Sequence, residues 1–273
     1  MIISSRSNPK VKQARALRRR KTRQQTGLFL VEGIRHVGEA VEAQEARSKE
    51  TPFGVQVEYI LYAPELLTSD FAQKLIDGQS PQGIACYALT ADVLESLAGK
   101  DNPQGILAVA RKDERSLEAL NPHNFAWGVA LDQPQDPGNV GTVLRSIDAA
   151  GASGLILLGN SVDPHHPNAV RASMGALFWY PVVQASFEAF AGWTQKHNYH
   201  VYGTSAHGGT DFRKIVRYAS PRILLMGSER EGLTPQQASL CDELIRLPMH
   251  GRATSLNLGV STGIFLYEML ARD

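Results

Sequence analysis

The sequence predicts an α/β protein in two parts, and three observations carry that reading. Short apolar runs of strand length alternate with helical stretches through both halves of the 273 residues. The alternation breaks once, at "KDERSLEALNPHN", where charge, Asn and Pro read as a linker. In the second half, each strand-like run ends in a polar, glycine-rich segment, the pattern of ligand loops beyond the carboxyl ends of parallel strands. The expected parts are residues 1–111, a linker at 112–124, and residues 125–273.

The composition, 43% hydrophobic and 20% charged, suits two compact domains with real cores and excludes a disordered chain. No apolar run approaches bilayer length, and "MIISSRSNPKVK" lacks the apolar core and cleavage site of a signal peptide, so the expected location is cytoplasmic. Cys86 and Cys241 stand in unrelated contexts and suggest neither a disulfide framework nor a thiolate metal site; they read as small buried hydrophobes.

Charge is distributed unevenly although the formal net charge is only +1. Between Met1 and Gln24 stand Arg6, Lys10, Lys12, Arg15, Arg18, Arg19, Arg20, Lys21 and Arg23, with no Asp or Glu. Such a run binds phosphates by counterion release; a solvated helix or a frayed basic tail is the alternative. The missing acids deny it the i,i+4 pairing of a merely soluble helix and favour a nucleic-acid partner.

After this segment, "LFLVEG", "VEYILYAP", "GIACYAL" and "QGILAVAR" read as strands, with "IRHVGEAVEA" and "TADVLESLAG" as helices. The second series runs through "FAWGVALD", "SGLILLG", "YHVYGTSA", "RILLMGSE" and "ELIRLPM", and predicts a mostly parallel, helix-covered sheet. The strand ends gather five polar loops: "LDQPQDPGNVG", "GNSVDPHHP", "GTSAHGG", "MGSEREG" and "PMHGRATSLN".

Three of these loops carry candidate chemistry. In "DPGNVGTVLRSIDAAG", Val140, Val143, Leu144 and Ile147 define a buried helix face, leaving Gly141, Arg145 and Asp148 on another. Arg145 leans toward Gly141, which leaves room for a substrate beside the guanidinium. Asn139 stands among the free N–H groups of the helix start, where a phosphate is favoured. An N-cap Asn and an Arg145–Asp148 surface pair explain the same residues. Gly227, Glu229 and Gly232 follow a buried strand, and their glycines permit either a close ligand or a tight turn. Pro248 and Gly251 allow a sharp turn that exposes backbone groups to a planar ligand, and Ser255 and Asn257 stand where capping is the simpler role. His165 and His166 lack further ligands at metal spacing, so no metal is expected. No G-x-G-x-x-G follows the first strand of either half, which argues against a dinucleotide oxidoreductase.

Taken in order, "NVGTVLRSIDAAG", "MGSEREGL" and "LPMHGRATSLNLGVSTGI" closely resemble the three motifs of the SpoU/TrmH branch of the SPOUT methyltransferases. "VDPHHPNAVRASMGALF" resembles the family's intervening stretch, with its His pair at variable positions. The first half resembles the family's substrate-binding domain, a ribosomal-protein-like RNA-binding fold. The departure is "LNLGVSTGI" for the commoner "LNVSVA" pattern. The resemblance implies transfer of methyl from S-adenosylmethionine to a ribose 2′-hydroxyl of RNA by a homodimer, without metal, from a SPOUT domain with a deep trefoil knot. Gly227, Leu247 and Leu256 would surround the methyl donor, with Thr204, Ala206 and Met249 as neighbours. Asn139, Arg145, Glu229, Ser255 and Asn257 fall on catalytic or active-site positions. The RNA-binding extension favours ribosomal RNA; a transfer-RNA ribose methyltransferase and a catalytically silent RNA-binding protein of the same fold are the alternatives.

Overall fold

The computed structural model describes residues 2–46, 54–78, 83–99, 103–206 and 209–273. The chain divides into two compact units, Met1–Asp113 with His165–Trp179, and Glu114–Pro164 with Tyr180–Asp273. His207 and Gly208 of the expected "GTSAHGG" loop lie outside the described residues.

The first unit opens with α1 (Pro9–Ala16) and α2 (Arg20–Thr26), followed by β1 (Leu28–Glu32), α3 (Ile34–Ala46), β2 (Gln56–Tyr62), α4 (Asp70–Asp77), β3 (Ala85–Ala88), α5 (Ala91–Glu95) and β4 (Ile106–Arg111). Its sheet has the order β1-β4-β2-β3; β4 is antiparallel to both neighbours and β3 is parallel to β2. The sequence reading missed α4, whose start is capped by Ser69 accepting from the Ala72 N–H at 3.2 Å.

The basic segment is folded, not frayed. Val11, Ala14 and Leu17 are fully buried in a core shared with Leu94 and Leu97. Several of its cations are internal struts. The buried Arg23 donates to the carbonyls of Leu17 at 2.8 Å and Arg18 at 2.9 Å. Arg15 donates to Ser96 Oγ at 3.0 Å, and Arg18 binds the Leu97 carbonyl and lies 3.8 Å from Glu32. Lys12, Arg19 and Lys21 are exposed, and among the described residues no hydrogen bond or ion pair engages their side chains. The unopposed charge therefore divides between holding the fold and facing solvent.

The second unit contains β5 (Trp127–Asp132), α6 (Pro137–Ala150) and β6 (Gly154–Leu158). Next in the chain comes α7 (Pro167–Ala172), which packs with the first unit. There His165 meets the Phe29 ring at 4.7 Å between centroids, and His166 caps α7 by accepting the Asn168 N–H at 3.1 Å. The second unit continues with β7 (Val182–Ala185), α8 (Phe187–Lys196), β8 (His200–Thr204), β9 (Thr210–Asp211), β10 (Arg222–Met226), α9 (Pro235–Leu240), β11 (Glu243–Arg246) and α10 (Leu258–Ala271). Its seven strands are all parallel, in the order β7-β6-β5-β10-β8-β11-β9. β5, β6 and β10 are buried along their whole length, as a doubly covered parallel sheet requires. Among the described residues no helix is long and apolar enough to cross a membrane.

Two helices position the carboxyl-end loops. Asp136 caps α6 by accepting the Gly138 N–H at 2.8 Å, Pro137 occupies the first turn, and Gly151 ends the helix at φ 74°, where a side chain would be strained. α10 is apolar on nearly every side and packs on α6. The contact is close because two glycines face two small polar residues: a Cβ added at Gly259 would stand 2.8 Å from Thr142 Cγ2, and one at Gly263 would stand 3.4 Å from Ser146 Oγ. Gly259→Leu is therefore expected to overpack this contact and lower the unfolding free energy by about 1–3 kcal/mol. A urea denaturation curve checks it; an unchanged midpoint would show that the helices are not held at this distance by the glycines.

Candidate active site

Four carboxyl-end loops of the parallel sheet converge in the second unit. They follow β5, β8, β10 and β11; the last three, together with Asn139 in the first turn of α6 and residues of α10, line a cavity of about 700 Å³.

Each loop is fixed locally. After β10 the chain makes a closed turn, in which Ser228 and Gly232 exchange backbone hydrogen bonds at 3.0 Å and Gly232 takes φ 70°. Gly227 starts that turn. A Cβ there would run into the Gly232 and Leu233 backbone, so only glycine lets the loop close on itself. After β8, the Ser205 N–H donates to the Ile245 carbonyl at 2.9 Å, which ties that loop to β11.

A directional hydrogen-bond relay joins three loops. Asn257 caps α10: its Oδ1 accepts the N–H groups of Gly259 at 2.9 Å and Val260 at 3.3 Å. Because that oxygen is occupied, the Asn257 amide NH₂ faces away and donates to Asn139 Oδ1 at 2.8 Å. The Asn139 amide is thereby oriented as well, and its Nδ2 donates to Glu229 Oε1. The second carboxylate oxygen accepts the Gln135 N–H at 3.4 Å. Every donor along this chain points toward Glu229, whose two carboxylate oxygens accept from Asn139 and from the Gln135 N–H.

Ten of the eleven expected site residues line this one cavity: Asn139, Glu229, Ser255, Asn257, Gly227, Leu247, Leu256, Met249, Thr204 and Ala206. Arg145 does not. It is exposed on α6, and among the described residues neither a hydrogen bond nor an ion pair engages it. Gly141 flanks the apolar stripe of the helix and is buried, so the open slot expected over it is not present. The alternative Arg145–Asp148 surface pair is also absent among the described residues; Asp148 instead faces the Tyr180 hydroxyl, which burial and that carboxylate push up to about 12. Asn139 is not the helix cap, since Asp136 takes that position and frees Asn139 for the relay.

Sequence reasoning missed Met226, Arg246 and Phe265, which also line the cavity. The first two end strands and the third sits inside a helix, where periodicity reports burial but not a neighbouring cavity. It also passed over Asp132, buried at the end of β5, whose carboxyl is held above its ordinary range by burial against the opposing hydrogen bond from Gln237. Gln237 in turn accepts the Thr234 N–H at 2.8 Å, so the acid links β5 to the start of α9.

No group of three or more His, Cys, Asp or Glu is placed to hold a metal among the described residues. Cys86 and Cys241 are half-buried, and burial pushes the Cys241 thiol up to about 12, away from the reactive thiolate.

The relay is testable by itself. Asn139→Ala leaves the Asn257 amide and a Glu229 oxygen without their shared partner, and the unfolding free energy is expected to fall by about 1–3 kcal/mol. Urea denaturation with circular dichroism of the folded baseline reads it. A variant as stable as the parent would show that the relay does not hold the loops together.

Comparison with known proteins agrees with this geometry. Residues 127–267 match the SpoU rRNA Methylase family, and residues 8–108 match the MRM3-like substrate binding domain. The chain is 33% identical to the 23S rRNA (uridine(2479)-2′-O)-methyltransferase of Streptomyces viridochromogenes, over 91% of this chain and 84% of that protein. It is 28% identical to the 23S rRNA (guanosine(2553)-2′-O)-methyltransferase RlmP of Bacillus subtilis, over 98% of both. Among solved structures, an AdoMet-bound rRNA methyltransferase from Sinorhizobium meliloti is 34% identical and superposes with a TM-score of 0.85, covering 98% of this chain and 97% of that one. The match to the SpoU motifs, the substrate-binding domain before them and the parallel sheet that carries them place this chain in the SpoU rRNA methylase family.

Proposed function

We propose that this protein transfers a methyl group from S-adenosylmethionine to a ribose 2′-hydroxyl of ribosomal RNA. The observation that carries the reading is the convergence of all three SpoU motif segments on one cavity at the carboxyl edge of a parallel sheet. The cavity suits the donor. Its wall at Leu247, Met249, Leu256 and Phe265 is apolar, and the close turn at Gly227 brings backbone groups to its edge. Gly227, Leu247, Leu256, Met249, Thr204 and Ala206 are the residues that would hold it. When bound, S-adenosylmethionine supplies a methyl group on a sulfonium, ready for in-line displacement by an oxygen nucleophile.

This chain's own residues must align the hydroxyl and stabilise the charge it develops. Ser255 offers a hydroxyl at the cavity, and the relay holds Asn139, Asn257 and Glu229 in one orientation toward it. Arg145 is assigned to the reacting ribose or its phosphate. A guanidinium is always protonated, so it acts electrostatically on the alkoxide, and water or a substrate phosphate takes the proton.

Arg145 stands outside its own chain's cavity, and this favours a homodimer. α10 exposes Val260 (50%), Tyr267 (54%) and Leu270 (43%), an apolar strip on the helix that packs against α6. Pairing two chains through these helices would cover the strip and let each Arg145 serve the other cavity. The strand order supports the knotted path of the family, because β10 enters between β5 and β8 before the chain returns through α10 to α6.

The substrate reading rests on the domain matched at residues 8–108 and on relatives named for 23S rRNA. The test is a map of 2′-O-methyl positions in total RNA from a strain lacking the gene. One ribose of 23S rRNA is expected to lose its methyl group and to regain it with purified protein. Arg145→Ala should keep fold and donor affinity but slow single-turnover methylation by about two orders of magnitude. An unchanged map would favour the silent RNA-binding protein, and loss confined to transfer RNA would favour the alternative substrate.

A further inference from the structure

The first unit contains a second cavity, of about 270 Å³, that no catalytic residue lines. It sits where the start of α3 meets the α7 segment. Leu30, Val170 and Met174 give it an apolar lining; Arg35, Arg171 and Gln104 give it a polar one, beside His36 and a Glu32 carboxylate that is taken up by Arg18 at 3.8 Å and the Gly99 N–H at 3.1 Å.

Its construction is specific. Met174 lies at φ 53°, a left-handed backbone that a long side chain rarely adopts, and Gly175 follows at φ 105°. This turn is pinned by α3: His36 bonds the Arg171 carbonyl at 3.2 Å, and Glu39 accepts from the Trp179 indole at 3.3 Å while its stem packs against Gly175. Strain held by neighbours in this way marks sites where a side chain must be presented in a fixed position. Met174 is presented to the cavity.

The polar groups are poised for a ligand. Arg35 is exposed, and among the described residues neither a hydrogen bond nor an ion pair engages it. Arg171 is steadied by Asn168 Oδ1 at 2.7 Å. Gln104 uses its oxygen to accept the Ile34 N–H at 3.1 Å, which leaves its NH₂ to donate. Two guanidinium groups, one amide donor and an apolar slot are the complement of a phosphate joined to a planar base with acceptor edges. The volume lies just below the roughly 300 Å³ at which the range of ligand pockets begins, which suits one nucleotide and nothing much larger.

We propose that this cavity captures one unpaired nucleotide of the RNA substrate, distinct from the nucleotide that is methylated. The base enters between Leu30, Val170 and Met174 and takes a hydrogen bond from Gln104; the adjoining phosphate lies on Arg35 and Arg171. The inference rests on the RNA reading above and adds a recognition site to it. Relatives named for a uridine and for a guanosine share the family of the methyl-transfer site, so target choice needs a reader elsewhere.

The probe is the 23S rRNA fragment that the protein methylates, prepared intact and as a series with one abasic nucleotide at each position outside the target. For the parent protein, one abasic position is expected to weaken binding about tenfold. Val170→Phe, which fills the slot, should bind the intact fragment and that abasic fragment alike. Arg35→Ala, on the surface, should weaken binding of the intact fragment roughly fivefold and leave S-adenosylmethionine affinity unchanged. A flat abasic scan with methylation intact overturns the pocket alone. Should Val170→Phe fail to fold, Arg35→Ala decides, and parental affinity in that variant overturns the proposal. Saturable binding of a free nucleoside monophosphate that the RNA fragment does not displace would make the ligand a soluble nucleotide and overturn it too. A parent protein that neither binds nor methylates the fragment overturns the underlying RNA reading.

Discussion

The catalytic unit depends on one chain of hydrogen bonds, from the first N–H groups of α10 through Asn257 and Asn139 to Glu229. The bonded pairs Asn257–Asn139 and Asn139–Glu229 are 118 and 90 residues apart in the sequence, and the three side chains come from the loop before α10, the first turn of α6 and the loop after β10. The polarity is set at one end. Helix α10 offers donors, the Asn257 oxygen must take them, and each amide downstream has one orientation left. An open parallel sheet brings the loops to one edge by topology, but topology alone leaves them free to move relative to one another. The relay is what turns three adjacent loops into one wall.

Packing supports the same edge from beneath. Gly259 and Gly263 let α10 approach α6 at Thr142 and Ser146, so that Asn257 at the start of one helix reaches Asn139 in the first turn of the other. Gly227 does the equivalent for the loop after β10, which could not close if it carried a Cβ. Small residues here serve distance, and distance decides whether the polar groups can bond. The first unit is organised differently. There the long basic side chains of Arg15, Arg18 and Arg23 bond Ser96 and backbone carbonyls, while Lys12, Arg19 and Lys21 face solvent.

Much of this was legible in the residues. The strands β5, β6, β8, β10 and β11 announce themselves because a parallel sheet covered on both faces needs unbroken apolar runs. β7 and β9, of four and two residues, are too short and too mixed for any period to appear. The motif residues were legible as a set through family likeness, yet their individual roles were not. Asn139 reads equally as a cap until Asp136 is seen to occupy that position. Gly141 and Arg145 sit on one flank by periodicity, but a glycine is covered where an arginine reaches solvent. The nine cations at the N-terminus look alike in the sequence, and only tertiary contacts separate Arg23, buried among carbonyls, from Lys12, exposed. His165 and His166 look like a metal pair and instead take a ring contact and a helix cap.

The central claim is that loops closed around Gly227 and the relay form an S-adenosylmethionine site built from backbone, apolar and amide groups. Titration calorimetry of S-adenosylmethionine into the protein with a chelator present, run in parallel on Gly227→Ala, tests it most directly. The account predicts saturable binding by the parent protein and loss of most of that affinity in a folded Gly227→Ala. Parental binding that vanishes with chelation, or a Gly227→Ala protein that binds as tightly as the parent, would contradict it.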